Sequence, residues 1–398
     1  MTREEIYQQC VEKIAKTNCL LLESATGTGK SKISIDLVNY LLASLWYRNK
    51  EEVNILLLVA KRVHKQTWKE EIEKWGGINH PTAHINICME CYESLKNHCR
   101  ERWDIVLADE VHHIGSEVRL DLLKTVRFGY FIGLSATIPV KLKQLFRYRY
   151  HADVVSCDII EAINDEILPE PQILLFPLML DNRKPTETWE FFKEAPGPVV
   201  HAEYKEIRKY KYNRKVHSII SMTQKQKCME YDALIDFFKR NNRDKAMLYM
   251  AGKRLEFLAY CKNQIVSDIL MKLDKKRTIT FCKTIEQSEI LGKNCIHSQN
   301  KKADDLYERF NSKRINHITA VNILNENANL VDCQYGIFAN ISSSSIVQAQ
   351  RTGRLLRHKE PVIIIPYYKG TREDEIVAKM LEGFNKEFIK EIHSIQEI

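Results

Sequence analysis

Residues 24 to 31 read SATGTGKS, directly after the apolar run CLLLE and directly before the helix-like stretch ISIDLVNYLLASLW. A glycine-rich turn between a buried strand and a helix lets several backbone N–H groups converge on one point, where the helix dipole also favours negative charge. Gly27 and Gly29 permit that convergence, with Thr26 and Thr28 interleaved. Lys30 adds a point charge suited to β and γ phosphates, and Ser31 offers a hydroxyl to Mg²⁺. Ser24 stands where the simplest GxxxxGKS pattern has its first glycine, a departure that the strand-before, helix-after context outweighs. The segment predicts a phosphate-binding loop, and with it an α/β domain built on a parallel sheet.

Such a site needs an acidic element at the end of a neighbouring buried strand. WDIVLADEVHH supplies one, 79 residues beyond Lys30 and on the third strand-like run after the loop. There Asp109 can hold Mg²⁺ through its water shell, and Glu110 can polarise an attacking water. An Asp-Glu pair after an apolar strand is common in isolation; its distance from the loop gives it weight.

Strand-length apolar runs alternate with amphipathic stretches through the first third: CLLLES, VNILLLVA, AHINICM, WDIVLAD and YFIGLSA, with HKQTWKEEIEKW helical between them. The rhythm breaks at EILPEPQ, where Pro169 and Pro171 suit an extended connection. QILLFPLMLD then reads as one further strand, residues 183 to 275 as a helical insertion with little strand character, and the α/β pattern returns with TITFC, AVNIL, YGIFAN and PVIIIPY before a C-terminal helix from Arg372. The expected divisions are residues 1–170, an opening strand of a second domain at 171–182, the insertion at 183–275, and the rest of the second domain at 276–398.

Composition narrows the class. At 398 residues the chain exceeds one ordinary core, and 44% hydrophobic with 28% charged residues is a globular balance without sign of disorder. No apolar stretch approaches the roughly 18 residues of a membrane span. The start, MTREEIYQQC, has acid and amide groups where an export signal needs a basic start and an apolar run, so a cytoplasmic protein is expected. Eleven scattered cysteines suit free thiols. The net charge of +8 is localised: residues 183 to 277 hold 22 Lys and Arg against 12 Asp and Glu, a balance of +10, and the remainder carries −2. A basic face of this kind suits a phosphate backbone, and equally a solvated helical surface.

On these residues the chain resembles the superfamily 2 helicases and translocases, whose core is a tandem pair of RecA-like parallel-sheet domains using ATP and Mg²⁺. SATGTGKS resembles motif I, VAKRVHKQTW motif Ia, DEVH (109–112) motif II in its DExH form, and Ser135, Ala136 and Thr137 the SAT of motif III. TITFCKTIEQSEIL resembles motif IV, NILNENANL motif V, and QRTGRLLR (350–357) fits the QxxGRxxR of motif VI. The resemblance implies that Arg354 and Arg357 stabilise the transferring phosphoryl group, that Gln350 serves the same cleft, and that His112 couples motif II to it. It also implies that Gln8, 22 residues before Lys30, reads the adenine edge with Tyr7 nearby, and that Arg62, Ser135 and Thr137 contact nucleic acid. Motif V departs from the family at Asn327 and Asn329, where glycine and aspartate are usual. The run Gln66, Thr67, Trp68 with DEVH and LNEN looks closest to phage and bacterial DNA helicases, restriction translocases and repair enzymes, which favours DNA over RNA, a bacterial or phage-infected cytoplasm, and a monomer.

Other residue patterns carry competing readings. Cys88 and Cys91 with His98 and Cys99 could hold Zn²⁺, but INICMECYESL reads better as a strand entering a helix, and no second CxxC exists. Ser135 lacks the GxSxG context of a hydrolase nucleophile. Lys209, Lys211 and Arg214, interleaved with Tyr204, Tyr210 and Tyr212, suit stacking and phosphate contact on nucleic acid, and equally a basic helix packing its tyrosines inward. The activity expected is an ATP-dependent helicase or translocase. A double-strand DNA translocase that separates no strands shares every motif, and an ATP-switched sensor or clamp would not need both Glu110 and the motif VI arginines.

Overall fold

The computed structural model describes all residues except 45–46, 48, 99, 184–186, 193–200, 203–215, 322–329 and 343, and leaves aside the side chains of 187–192, 201–202, 216–221, 345–346 and 349. Its contacts divide into two units, one comprising Met1–Pro171 together with Ser344–Pro361, the other built mainly from the chain beyond Gln172 and completed by Val362–Ile398. No helix among the described residues is long and apolar enough to cross a membrane.

In the first unit, α1 (Arg3–Thr17) starts at a capping box between Thr2 and Glu5 and stops at Asn18, which takes the left-handed conformation at φ 56°. The apolar runs become β1 (Cys19–Ser24), β2 (Glu52–Val59), β3 (His84–Cys91), β4 (Arg102–Asp109), β5 (Arg127–Ser135) and β6 (Asp153–Cys157). They are ordered β3-β2-β4-β5-β1-β6 and every pairing is parallel. Parallel neighbours require crossovers, here α2 (Lys30–Leu42), α3 (Arg62–Lys74), α4 (Glu117–Leu123) and α5 (Val140–Tyr150), with α6 (Ile159–Asn164) after β6. Helices cover the central strands, which is why they read as continuous apolar runs: Ile105, Val106, Leu107 and Ala108 of β4 are all fully buried. Leu21, Leu56, Val106 and Phe131 join one core cluster with Phe146, whose ring lies 5.2 Å from that of Phe131.

The second unit carries β7 (Gln172–Leu178), which pairs in parallel with β15 (Val362–Tyr368) and β16 (Ile389–Glu391). Its seven-stranded parallel sheet is completed by β11 (Thr278–Phe281), β12 (Cys295–Ile296), β13 (His317–Ala320) and β14 (Tyr335–Ile337), in the order β12-β13-β11-β14-β15-β7-β16. Around it lie α10 (Ile285–Leu291), α11 (Ala303–Asn311) and α13 (Arg372–Met380), and α12 (Ser345–Leu355) precedes β15 in the chain. The two sheets and their helices are the tandem RecA-like α/β architecture.

Residues 183 to 275 differ from the helical expectation. The segment opens with an antiparallel sheet of β8 (Glu187–Phe192), β9 (His201–Ala202) and β10 (Val216–Met222), in the order β10-β8-β9. The β-branched and aromatic residues of ETWEFF and VHSIISM favour a pleated surface over a helix, a local preference masked by the surrounding lysines and arginines. Helices follow as α7 (Gln224–Arg240), α8 (Asp244–Cys261) and α9 (Asn263–Lys272). The last is part of the second core: Val266, Ile269 and Leu273 pack with Leu174, Phe176 and Ile364. At the α8–α9 junction, fully buried Lys262 donates to Glu373 Oε1 at 2.6 Å and to the Pro366 carbonyl at 3.3 Å, tying the helices to β15 and α13.

Two further differences concern boundaries. The C-terminal helix stops at Met380, and the chain returns to the sheet as β16 after Gly383 at φ 88°. Ser344–Pro361, placed by the sequence in the second domain, groups with Met1–Pro171. The motif V segment and Lys209, Lys211 and Arg214 lie outside the described residues, as does most of AVNIL.

Candidate nucleotide site

The loop after β1 is held from within. Ala25 N–H donates to the Cys157 carbonyl at 2.9 Å, Ser24 Oγ lies 2.6 Å from Thr28 Oγ1, and Thr28 Oγ1 donates to the Ala25 carbonyl at 2.8 Å. Ser24 and Thr28 are both fully buried. The serine that replaces the expected glycine is thus part of the loop's scaffold. The Thr28 hydroxyl braces the loop, and Thr26, Gly27, Gly29, Lys30 and Ser31 line the cavity beside it. Gly27 and Gly29 both have positive φ, 98° and 97°, a backbone that L-residues rarely adopt. Lys30 Nζ donates to the carbonyls of Ser24 at 2.8 Å and Ala25 at 3.2 Å. Burial lowers the lysine's pKa, the nearby carboxylates of Glu110 and Asp109 oppose that, and the positive charges of Arg354 and Arg357 add to it.

β5 separates β1 from β4 in the sheet, so the loop and the acidic pair emerge from the same carboxyl edge. Asp109 and Glu110 are 6% and 4% exposed. Glu110 sits at φ 52°, ψ 55°, a left-handed conformation that redirects its side chain where β4 gives way to the short turn Val111–Gly115. Ser135 Oγ donates to Glu110 Oε2 at 3.0 Å and lies 2.9 Å from His112 Nδ1, which is 3.3 Å from the same carboxylate oxygen. Burial pushes the Glu110 carboxyl upward, but the His112 hydrogen bond, the Lys30 charge and the Ser135 hydroxyl outweigh it, and the net direction is down. Ser135 was expected on nucleic acid; fully buried, it instead links motif III to Glu110 and His112. Thr137 is half-buried beside it, its N–H directed at Ser135 Oγ.

Arg354 and Arg357 line the same cavity as Lys30, Ser31, Asp109 and Glu110, a space of about 350 Å³. Arg354 is 3% exposed and Arg357 is exposed at the rim. Gln350, on the same helix as Arg354, is buried, and its Nε2 has no hydrogen-bond partner among the described residues. Gln8 is not brought to this site. The buried stripe of α1 is Ile6, Cys10 and Ile14, and Gln8 falls on the opposite face, exposed and donating to Glu4 Oε1 at 2.8 Å. Arg3 lies nearer the loop: its Cδ would stand 3.9 Å from a Cβ built on Gly29. Arg62 is exposed at the first turn of α3.

Sequence reasoning missed the α3 wall of the cavity, formed by Thr67, Trp68, Glu71, Lys74 and Trp75. Their spacing of three, four and seven residues marks one helical face, a signal present in QTWKEEIEKW. Trp68 Nε1 donates to Asp109 Oδ2 at 2.9 Å, and Trp75 Nε1 to Glu71 Oε2 at 2.8 Å. The CxxC reading also resolves. Positions three apart on a strand face opposite ways, and Cys91 is buried while Cys88 shares a face with Glu90. Cys88, Glu90 and His98 do approach one another within 4.8 Å, but Glu90 already holds the Lys65 ammonium at 3.1 Å.

A glycine-rich loop, an acidic pair on the strand beyond β5 and two arginines share one cavity, in a tandem of parallel sheets of the RecA-like class. Residues 2–140 match the family described as type III restriction enzyme, res subunit, and residues 261–359 match the helicase conserved C-terminal domain. With one such match in each half, the comparisons support the superfamily 2 helicase class. By sequence alone, no curated protein matches it. Among solved structures, S. cerevisiae Dbp5 bound to RNA and ADP BeF3 is similar with a TM-score of 0.58 at 11% identity, over 98% of this chain and 89% of that one. The type ISP restriction-modification enzyme LlaBIII, bound to DNA, has a TM-score of 0.58 at 12% identity, over 99% of this chain and 31% of that one. At these identities the likeness is one of fold.

Proposed function

We propose that the chain is a nucleic-acid-dependent ATPase of the DExH type that translocates on or unwinds nucleic acid, with DNA the preferred track, acting as a monomer in a bacterial or phage-infected cytoplasm. The observation that carries the reading is the meeting of Arg354 and Arg357 with Lys30, Asp109 and Glu110 on one cavity. A site that only bound nucleotide would need the loop and its lysine. Arginines facing an ionised Glu110 serve hydrolysis, in which negative charge spreads over the transferring phosphoryl oxygens. DNA is favoured because the first-half match is named for a restriction subunit and LlaBIII is described as bound to DNA.

The residues fit Mg²⁺ by donor chemistry: the Ser31 hydroxyl and Asp109 carboxylate are hard oxygen groups of the kind that hold it directly or through water. An ion held there would supply positive charge to the phosphate oxygens of the nucleotide. Gly27 and Gly29 present backbone N–H groups to phosphate, and Lys30 adds its ammonium. Glu110, kept anionic by His112, Lys30 and Ser135, orients the attacking water and takes up its proton. Arg354 and Arg357 stabilise the charge on the γ-phosphoryl group as the bond to the leaving oxygen breaks. The deciding experiment is ATPase rate against single-stranded, duplex and forked DNA and against RNA. Stimulation by DNA with strand displacement on forks is expected; an unstimulated rate on every ligand overturns the reading, and duplex stimulation without displacement assigns a double-strand translocase.

A further inference from the structure

Trp68 has no part in the chemistry above, yet it is 3% exposed, lines the nucleotide cavity, and donates from its indole Nε1 to Asp109 Oδ2 at 2.9 Å across 41 residues of sequence. Tyr92, 2% exposed, donates from Oη to the Asp109 carbonyl at 2.6 Å. Side chain and main chain of one aspartate are therefore each held by an aromatic donor, from α3 and from the short turn after β3. The choice of donor matters. An indole N–H is neutral and cannot accept, so it fixes one carboxylate oxygen without cancelling the negative charge, whereas a lysine or arginine there would compete with a cation for it.

We infer that Trp68 is a positioning residue for the metal carboxylate: its N–H fixes the Asp109 side chain in the orientation that takes Mg²⁺, and ties α3 to the acidic turn. This rests on the reading of Asp109 as the metal-binding carboxylate. Partners that orient a metal-binding group typically change metal affinity by roughly 10- to 100-fold when removed.

The test is Mn²⁺ binding to the protein with ADP present, followed by electron paramagnetic resonance, for wild type, Trp68→Phe and Trp68→His. Phenylalanine keeps most of the aromatic volume and loses the donor, so metal affinity should fall roughly 10- to 100-fold, with ADP affinity in the absence of divalent ions unchanged. The half-saturating Mg²⁺ for turnover should rise by the same factor while the KM for ATP at saturating metal stays near wild type. Histidine, which retains a ring N–H, should recover part of the loss. Unchanged Mn²⁺ affinity in a folded Trp68→Phe protein overturns the inference. If that variant fails to fold, the wild type decides: of its five tryptophan indole ¹⁵N–H signals, assigned by replacing the other four singly, that of Trp68 should shift on adding Mg²⁺ with ADP, and no shift overturns the inference. Failure of the wild type itself to bind Mn²⁺ would instead undo the nucleotide-site reading.

Discussion

A Cβ built on Gly353 would stand 2.7 Å from Thr26 Cβ and 2.9 Å from the Thr26 carbonyl oxygen, so α12 lies against the phosphate loop with only a hydrogen between them. No side chain fits without moving one element. Gly353→Ala should displace Arg354, and Arg357 just beyond the end of α12, from the loop and lower turnover at least tenfold, against an overpacking strain of about 1–3 kcal/mol. Steady-state ATPase and a thermal melt separate the two effects: wild-type turnover would show that the close approach has no part in catalysis.

Lys30→Ala should abolish turnover by removing the ammonium from the phosphates, and Glu110→Gln should bind ATP without hydrolysing it, because the amide cannot take a proton from water. Nucleotide binding by equilibrium titration beside single-turnover hydrolysis checks both. Wild-type hydrolysis by Glu110→Gln would remove Glu110 from the role of base.

Arg357, exposed at the rim of the cavity, can be truncated without opening the core. Arg357→Ala should leave ATP affinity within several-fold and lower kcat by roughly 10³ or more, the scale of an arginine finger. Arg354, buried at 3%, should lose stability as well as rate when truncated. A kcat for Arg357→Ala close to wild type would sink the catalytic role of the QRTGRLLR segment.

The pH dependence follows from Glu110, whose folded pKa lies below the ordinary 4.5 despite burial. A depressed carboxyl adds stability that is present above its unfolded pKa and is lost as pH falls through the folded value. The acid limb of kcat should therefore lie below about pH 4.5, as far as the fold survives there. Replacing His112 with Ala removes the largest influence that lowers this pKa, so the limb should move upward. A pH–rate profile of the variant that overlays wild type would show that His112 does not control Glu110.

The basic segment is open to a salt-dependence test. Neutralising Lys209, Lys211, Arg214 and Lys215 should weaken DNA binding and flatten the slope of log affinity against log salt by up to about three units, at about 0.7 to 0.9 per phosphate contact. Basal ATPase should be unaffected. An unchanged slope in a folded variant would place the tracking surface elsewhere.

Much of the site was legible because its chemistry is local. SATGTGKS needs a strand before it, a helix after it and two residues free to adopt positive φ, all set by neighbours in the chain. The parallel order of the sheets was readable for a similar reason: strands buried on both faces must be apolar throughout, as Ile105 to Ala108 are. The capping box of α1 and the stop at Asn18 are likewise written in a few adjacent residues.

What the sequence determined by itself was therefore which residues form the loop, the acidic pair and the arginine-bearing segment of the candidate site, since each is specified by short-range geometry. Tertiary structure alone decided how they are used. The helical turn carried Gln8 away from the site, and sheet order put Ser135 next to Glu110 and His112, where it is too buried to reach nucleic acid. Strand formation in ETWEFF and VHSIISM depended on pairing partners some 30 residues apart. Trp68 found Asp109, and Gly353 found Thr26, only when distant elements packed, because hydrogen bonds and steric contacts across 41 and 327 residues leave no periodic trace in the chain.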